Sequence, residues 1–458
     1  MEQINSTANA EVNDSTNSIL HIETNKEHIN EEGQQNREFP SEIPLPKKRT
    51  RYEPILRDMI ALPNTEEETN GITIMTYNLL AQSLCKRELF PNCGDALKWK
   101  NRRPRLLKEI FHYLPDLGCF QEMDDTNFIE TFKPEFEKFD YDSLFFKNDT
   151  KRHGCCIIWK KSKFTKLKEL TLDFDKFGSP TMTTNCIGIV VVLGCVGVEN
   201  KGISIGTTHL YWRPESMYER ARQCLILYQN LLKLNEGFNF PAFLAGDFNS
   251  TPEDPIYQLM VKNSLTEKKL SVLKDSMRSF GDEVEGSTGS GDNFGKKEEK
   301  EKQSTSSTNE IIIEQSTTSS QSLTDTRPNQ SSQSSSLTFT LEPSQLDSLL
   351  SNFENLPKCL SLYGQNYHLI DSENIIEYSE PKITHYGLHF KGTLDYIFYI
   401  LDHEKENINE ENRKDDENKF KVFKLLKLPR KEEFESTSLP NYKFNSDHVC
   451  LMVEIVGL

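Results

Sequence analysis

Four apolar residues, Ala242 to Ala245, are closed off by Pro241 on one side and Gly246 on the other. The run is too short for a helix and reads as a buried strand. It is followed by Asp247-Phe248-Asn249-Ser250-Thr251-Pro252. A carboxylate and a carboxamide two residues apart at a strand terminus point the same way, and they set an anionic acceptor beside a neutral donor and acceptor. Such a pair suits a water held beside a cation and a phosphate. The same six residues are common turn formers, so alone they spell a turn as readily as a site.

Similar runs recur along the chain. Gly71 to Leu80 is β-branched and apolar, with Asn78 near its end. From Asn101, residues Leu106, Leu107, Ile110, Phe111 and Leu114 fall at helical spacing, which predicts a core-facing helix with a basic outer face. Pro104 is expected in its first turn, where the missing N–H has no intrahelical partner. Pro115 to Glu122 is a second strand, so strand, helix and strand form a crossover unit that brings Asn78 and Glu122 to one sheet edge. Two hairpin-like pairs follow, Tyr141–Lys147 with Gly154–Lys160 around Lys151-Arg152-His153, and Ile187–Leu193 with Ile203–Leu210. A helix from about Glu215 to Leu234 comes next. The last strands are Leu394–Leu401, Phe420–Leu428 and Val449–Val456. Polar groups fall at Asn78, Glu122, His209, Asp247 with Asn249, Asp395, and Asp447 with His448. All are expected at strand C-termini, where open α/β sheets bind ligands.

A formal charge of −16 argues against a phosphate-rich partner until its distribution is read. Residues 1–46, 281–303, 304–350 and 404–418 together carry −18, which leaves +2 on the rest of the chain. Residues 1–50 read as a disordered acidic tail, and 281–343 as a disordered insert in which 19 of the 35 residues from 304 to 338 are Ser or Thr. A shorter acidic loop is expected at 404–418. Residues 51–458 then form one catalytic domain interrupted twice. The ten cysteines include no Cys-x-x-Cys pair, so zinc and disulfide frameworks are not expected. No apolar run approaches the ~20 residues of a membrane helix, and no secretory or mitochondrial signal is evident. The expected location is cytoplasmic, nuclear or both, the nuclear reading resting on Lys47-Lys48-Arg49-Thr50-Arg51, which reads equally as a solvated linker or an RNA-backbone contact.

The strand-end groups are rich in oxygen and poor in sulfur, which favours Mg2+, with Mn2+ as a substitute, one or two ions. Glu122 is the first-choice ligand, Asn78 completes or orients its surroundings, and Asp247 and Asp447 follow. His448 needs a partner to fix its tautomer and favour the imidazolium, and Asp395 supplies one. Asp247 would orient or deprotonate an attacking water, while His209 and Asn249 donate to phosphate oxygens.

Tyr77-Asn78-Leu79-Leu80, Gln121-Glu122, Thr208-His209-Leu210-Tyr211-Trp212, Gly246-Asp247-Phe248-Asn249-Ser250, Phe390-Lys391-Gly392-Thr393-Leu394-Asp395-Tyr396-Ile397-Phe398-Tyr399 and Ser446-Asp447-His448 stand in the order of the endonuclease/exonuclease/phosphatase superfamily. Across roughly 50–280 and 345–458 the chain most resembles its deadenylase-type branch, which holds nocturnin, Angel, the carbon-catabolite-repressor deadenylases and the yeast NGL proteins. The NGL proteins fit best. The resemblance implies a DNase I-like four-layer α/β sandwich of two β-sheets flanked by helices. It also implies magnesium-dependent 3′-to-5′ hydrolysis of single-stranded RNA ends to 5′-mononucleotides, in RNA 3′-end processing such as ribosomal RNA precursor maturation, or in poly(A) shortening. A terminal base would stack between Pro214 and Phe390, worth ~1–3 kcal/mol per base. Two departures stand out. His153 replaces the Asp that many relatives carry before the Gly-Cys of the first hairpin, and residues 1–50 are too short and polar to hold the leucine-rich-repeat docking module of the carbon-catabolite-repressor deadenylases, so none is expected there. A nucleotide phosphatase acting on a molecule such as NADPH, and a non-catalytic RNA-binding protein, are the competing readings.

Overall fold

The computed structural model describes residues 53–63, 71–278, 343–401 and 420–457. The expected tail, the insert up to residue 342, the acidic loop and the basic cluster lie outside these residues. The strands in chain order are β1 (Met59–Ala61), β2 (Ile72–Asn78), β3 (Leu117–Asp124), β4 (Tyr141–Phe146), β5 (His153–Lys160), β6 (Phe164–Asp173), β7 (Ile187–Cys195), β8 (Gly202–His209), β9 (Ala242–Asp247) and β10 (Cys359–Ser361). They continue with β11 (His385–Tyr386), β12 (Lys391–Gly392), β13 (Asp395–Ile400), β14 (Lys421–Leu426) and β15 (Leu451–Val456). Seven strands form one mixed sheet in the order β1-β14-β15-β2-β3-β5-β4, and six form a second in the order β10-β13-β9-β8-β7-β6. Strands β11 and β12 make a separate ribbon.

The two sheets pack face to face. Ile74, Leu117, Cys119, Ile157, Val453 and Ile455 of the first meet Ile189, Val191, Ile205, Phe243, Ala245 and Ile397 of the second in one core. The alternate residues of the second sheet face helices: Val190, Leu244 and Phe398 pack with Ala221, Leu225, Tyr228 and Leu231 of the helix Met217–Asn235. Strand β9 is therefore buried on both faces, which is why it reads as a continuous apolar run rather than an alternating one. On the outer face of the first sheet, the helix Trp99–Tyr113 stacks Phe111 on Phe139 and sets it edge to face against Phe136, and Phe136 stacks on Phe120. The result is the expected four layers, helix, sheet, sheet, helix. No described helix is long and apolar enough to cross a membrane.

Several expectations need correction. Strand β3 does not stop at Glu122 but runs on to Asp124, with its pairing to β5 shifted between Phe120 and Met123. Glu122 sits in that bulge with φ of 52°, a left-handed conformation that costs an L-residue about 1–2 kcal/mol and re-aims its side chain. The functional groups do not all lie at strand C-termini either. Asn78, His209 and Asp247 do, but Asp395 opens β13 and His448 precedes β15, because both strands run antiparallel to their neighbours β9 and β2. The helix begins at Trp99, so Pro104 falls in its second turn, and its basic residues are not simply an outer face: Arg102 and Arg105 are buried.

One buried acid, Glu380, ties the helix Pro255–Lys262 to the segment that follows the short helix Glu377–Ser379. Tyr257 Oη donates to Glu380 Oε1 at 2.7 Å, and burial lifts the Glu380 carboxyl to about 7. Its folded-state pKa lies above that of the unfolded chain, so its stabilising effect is complete below about pH 4.5 and is lost as pH rises through 7. Thermal or urea unfolding of wild type and Glu380→Gln, compared from pH 5 to pH 8, should show the variant gaining on the wild type by on the order of 2 kcal/mol.

Candidate active site

The site forms where the two sheets open at one edge. In the second sheet, parallel pairing sets His209 of β8 opposite Asp247 of β9, and antiparallel pairing sets Asp395 of β13 on its other side. Gly246 lets β8 and β9 approach, since a Cβ there would lie 2.4 Å from the Thr208 carbonyl oxygen. In the first sheet, parallel pairing aligns Asn78 of β2 with Gln121 of β3, next to Glu122.

Asn78 joins the sheets. Its Nδ2 donates at 3.0 Å to Glu122 Oε1 and at 3.0 Å to Asp247 Oδ2. Its Oδ1 accepts from the Leu80 N–H, and the Ala81 N–H donates to Glu122 Oε2, so both side chains are fixed by the turn that follows β2. His209 Nε2 lies 3.6 Å from Asp247 Oδ2, and its Nδ1 lies 3.9 Å from Glu122 Oε1. The Asn249 N–H donates to Asp247 Oδ1 at 2.9 Å, while its Nδ2 gives one hydrogen to the Leu210 carbonyl.

On the other side of Asp247 stands a histidine–aspartate pair. His448 Nδ1 is 2.8 Å from Asp395 Oδ2, and His448 Nε2 is 3.5 Å from Asp247 Oδ2. Thr384 locks the pair by donating to Asp395 Oδ2 and accepting from the Leu394 and Asp395 N–H groups. Burial opposes the His448 imidazolium, but Asp395 and Asp247 outweigh it and hold the ring protonated well above the ordinary range. Burial also works against the Asp247 anion, yet His448, His209 and the Asn78 amide hold that carboxyl below its ordinary value. A lasting carboxylate therefore faces a lasting imidazolium.

Asp447 lies against His385, with 3.5 Å between Nε2 and Oδ2, in a group with His448 whose ligand atoms lie close enough together to hold a metal ion. Burial pushes its carboxyl up, but the His385 hydrogen bond and the His448 charge hold it at about 2. The His385 ring stacks on Phe390 at 5.7 Å, and Phe390 is 40% exposed. Pro214, also exposed, follows β8, and Phe390 precedes β13, so the two sit on segments flanking β9. The Pro214 carbonyl is pinned by the buried Arg220 guanidinium.

Sequence reasoning missed Thr384, His385 and Arg102. Arg102 is fully buried and donates to the carbonyls of Leu79, Leu80 and Asn445, anchoring the turn after β2 to the loop that carries Asp447 and His448. Its helical spacing to Leu106 and Ile110 was a signal, because it places Arg102 on the apolar face. No local pattern marks Thr384 or His385, whose partners are brought together only by the fold.

Four carboxylates, Glu122, Asp247, Asp395 and Asp447, share this edge, and among the described residues their ion-pair partners are imidazoles, with no Lys or Arg. Buried anions in excess of nearby cations call for a cation, and carboxylate and carboxamide oxygens suit a hard divalent one. Asp247, Asp395 and His448 form one group whose ligand atoms lie close enough together to hold an ion, and His385, Asp447 and His448 form a second, while the Glu122 carboxylate adjoins Asp247 through the Asn78 amide.

The profile described as the Endonuclease/Exonuclease/phosphatase family matches residues 75–333. "Probable RNA exonuclease C9B6.11c" of Schizosaccharomyces pombe is 32% identical over 417 residues, spanning 88% of this chain and 80% of that protein. "RNA exonuclease NGL2" of Saccharomyces cerevisiae is 30% identical over 452 residues, spanning 88% and 81%. Among solved structures, ANGEL2, described as a 2′,3′-cyclic phosphatase, aligns with a TM-score of 0.59 at 20% identity, over 88% of this chain and 99% of that one. The human nocturnin catalytic domain aligns at 0.50 and 20% identity, over 87% and 97%. These two likenesses establish the DNase I-like fold.

Two outcomes follow from the geometry. Calorimetric titration with Mg2+ or Mn2+ should show Glu122→Gln binding at least about tenfold more weakly than wild type. Arg102→Ala orphans three buried carbonyls and should lower stability in urea by about 3 kcal/mol.

Proposed function

This chain belongs to the endonuclease/exonuclease/phosphatase family, and from that premise we propose that it is a magnesium-dependent 3′-to-5′ exoribonuclease. It releases 5′-mononucleotides from single-stranded RNA ends, in 3′-end trimming such as ribosomal RNA precursor maturation or in poly(A) shortening. Two relatives with RNA exonuclease names, each aligned to 88% of the chain, support RNA as the substrate. The observation that carries the chemistry is the position of Asp247, whose Oδ2 lies within 3.5 Å of His448 Nε2 and 3.6 Å of His209 Nε2.

Asp247, held ionised, accepts the proton of a water aimed at the scissile phosphorus. The water oxygen bonds to phosphorus as the bond to the 3′ oxygen of the upstream nucleotide breaks; that oxygen takes a proton from solvent to become the new 3′-hydroxyl, Asp247 returns its proton to solvent, and the phosphate leaves on the released nucleotide. The His448 imidazolium, kept charged by Asp395, donates to a phosphoryl oxygen where negative charge grows, and His209 and the remaining Asn249 amide hydrogen do the same. Glu122 and Asn78 would hold the divalent ion, which supplies Lewis acidity toward the phosphate. Pro214 and Phe390 would take the terminal base between them, with His385 supporting the Phe390 ring and Asp447 orienting His385.

End-labelled RNA tests this reading. With Mg2+ or Mn2+, a 3′ label should emerge as a mononucleotide and a 5′ label as a receding ladder, and EDTA should stop both. Asp247→Ala should lower kcat/KM by about 10³-fold or more. Internal cuts without a ladder, or phosphate release from NADPH with RNA left intact, would contradict it.

A further inference from the structure

Beyond His209, at the end of the edge away from Phe390, lies a small, half-open cleft of about 20 Å³. Its position follows from the strand orders. In the second sheet β13, β9, β8 and β7 succeed one another, and in the first β15, β2, β3 and β5 do the same. The groups along the edge therefore run from Asp395 and His448, through Asp247 and Asn78, to His209 and Glu122. Next come His153, which opens β5, and Asn185 and Cys186, which precede β7.

Three polar side chains in this cleft make no strong bond within the described protein. The Lys151 ammonium has no carboxylate within ion-pair range and touches only the Cys186 thiol at 3.8 Å, a weak acceptor. Among the described residues the His153 ring and the Asn185 carboxamide have no hydrogen-bond partner, and the Glu122 and Asp124 carboxylates act on the His153 ring only through their charge. The nearby Asp175 carboxylate is occupied by Thr184 Oγ1 and by the N–H groups of Thr184 and Asn185. The hairpin carrying Lys151 is held in place, because Gly154 packs so tightly that a Cβ there would lie 2.0 Å from the Phe146 carbonyl oxygen. An unpaired cation beside an amide and an imidazole, with no Phe, Tyr or Trp in the lining, is suited to an anion rather than to a stacked base.

We propose that Lys151, His153 and Asn185 bind the phosphate one nucleotide 5′ of the scissile bond. The assignment rests on the exoribonuclease reading: with the terminal base at Phe390 and the scissile phosphate at Asp247, the upstream chain leaves past His209 and across the mouth of this cleft. It makes the second phosphate, rather than the second base, the feature that separates an RNA chain from a small nucleotide.

The dinucleotides pApA and ApA share the scissile phosphate and differ only in the upstream one. Their equilibrium binding to the full chain is measured by calorimetry in EDTA, so that turnover plays no part. Wild type should bind pApA about tenfold more tightly than ApA, Lys151→Ala should bring that ratio close to one, and Lys151→Arg should retain most of it. Lys151→Ala should also lower the salt dependence of pApA binding by about one phosphate contact. A pApA to ApA ratio that is the same in wild type and Lys151→Ala would overturn the proposal. Hydrolysis of ApA by the wild type in Mg2+, followed separately, reports on the exoribonuclease reading alone.

Discussion

The hydrogen bond from Asn78 to Asp247 crosses from one sheet to the other, and the chemistry of the edge depends on it. The same nitrogen reaches Glu122, so one amide holds two carboxylates, each at 3.0 Å. The two acceptor oxygens can be at most about 6 Å apart, so their charges repel by roughly 3 kcal/mol or more at an effective dielectric of about 20. The amide hydrogens and the imidazoles of His209 and His448 offset that repulsion, and a cation held there would offset more of it. Removing any of them leaves like charges facing each other in a buried place.

The positions of these groups are set by rigid elements rather than by loops alone. Asp247 ends a strand buried on both faces, with Phe243 and Ala245 in the inter-sheet core and Leu244 against the helices. Asp395 lies in register beside it, and Thr384 fixes its carboxylate. Arg102 ties together the two turns that no sheet holds, those after Leu79 and before Asp447. Glu122 keeps a left-handed backbone inside a bulge, the kind of local strain that recurs where a side chain must be re-aimed.

Much of this was legible in the sequence, and what was not has a physical reason. Short apolar runs ending in Asn78, His209 and Asp247 announced their strands because an apolar run cut off by Gly, Pro or a polar group marks a strand boundary. The same signals do not say which sheet a strand joins. Strands β13 and β14 are consecutive along the described chain, yet β13 lies beside β9 in the second sheet and β14 beside β15 in the first. For the same reason Asp395 and His448 were expected at strand ends of the wrong polarity, since a run of apolar letters carries no direction relative to its neighbours. Arg102 was counted with the solvent-facing charges because arginine is rarely buried, although its spacing to Leu106 placed it inside. His385 is seen only after folding, when a two-strand ribbon brings it between Phe390 and Asp447.

The central claim is that Asp247 couples a cation-binding half, built on Glu122, to an imidazolium half, built on His448. A double-mutant cycle in kcat/KM on RNA, with Glu122→Gln, His448→Gln and the two combined, measures that coupling directly. If both halves act through the one carboxylate, the double variant should be no more than about tenfold worse than the poorer single variant. If instead the two losses multiply in full, the halves act independently and Asp247 does not couple them.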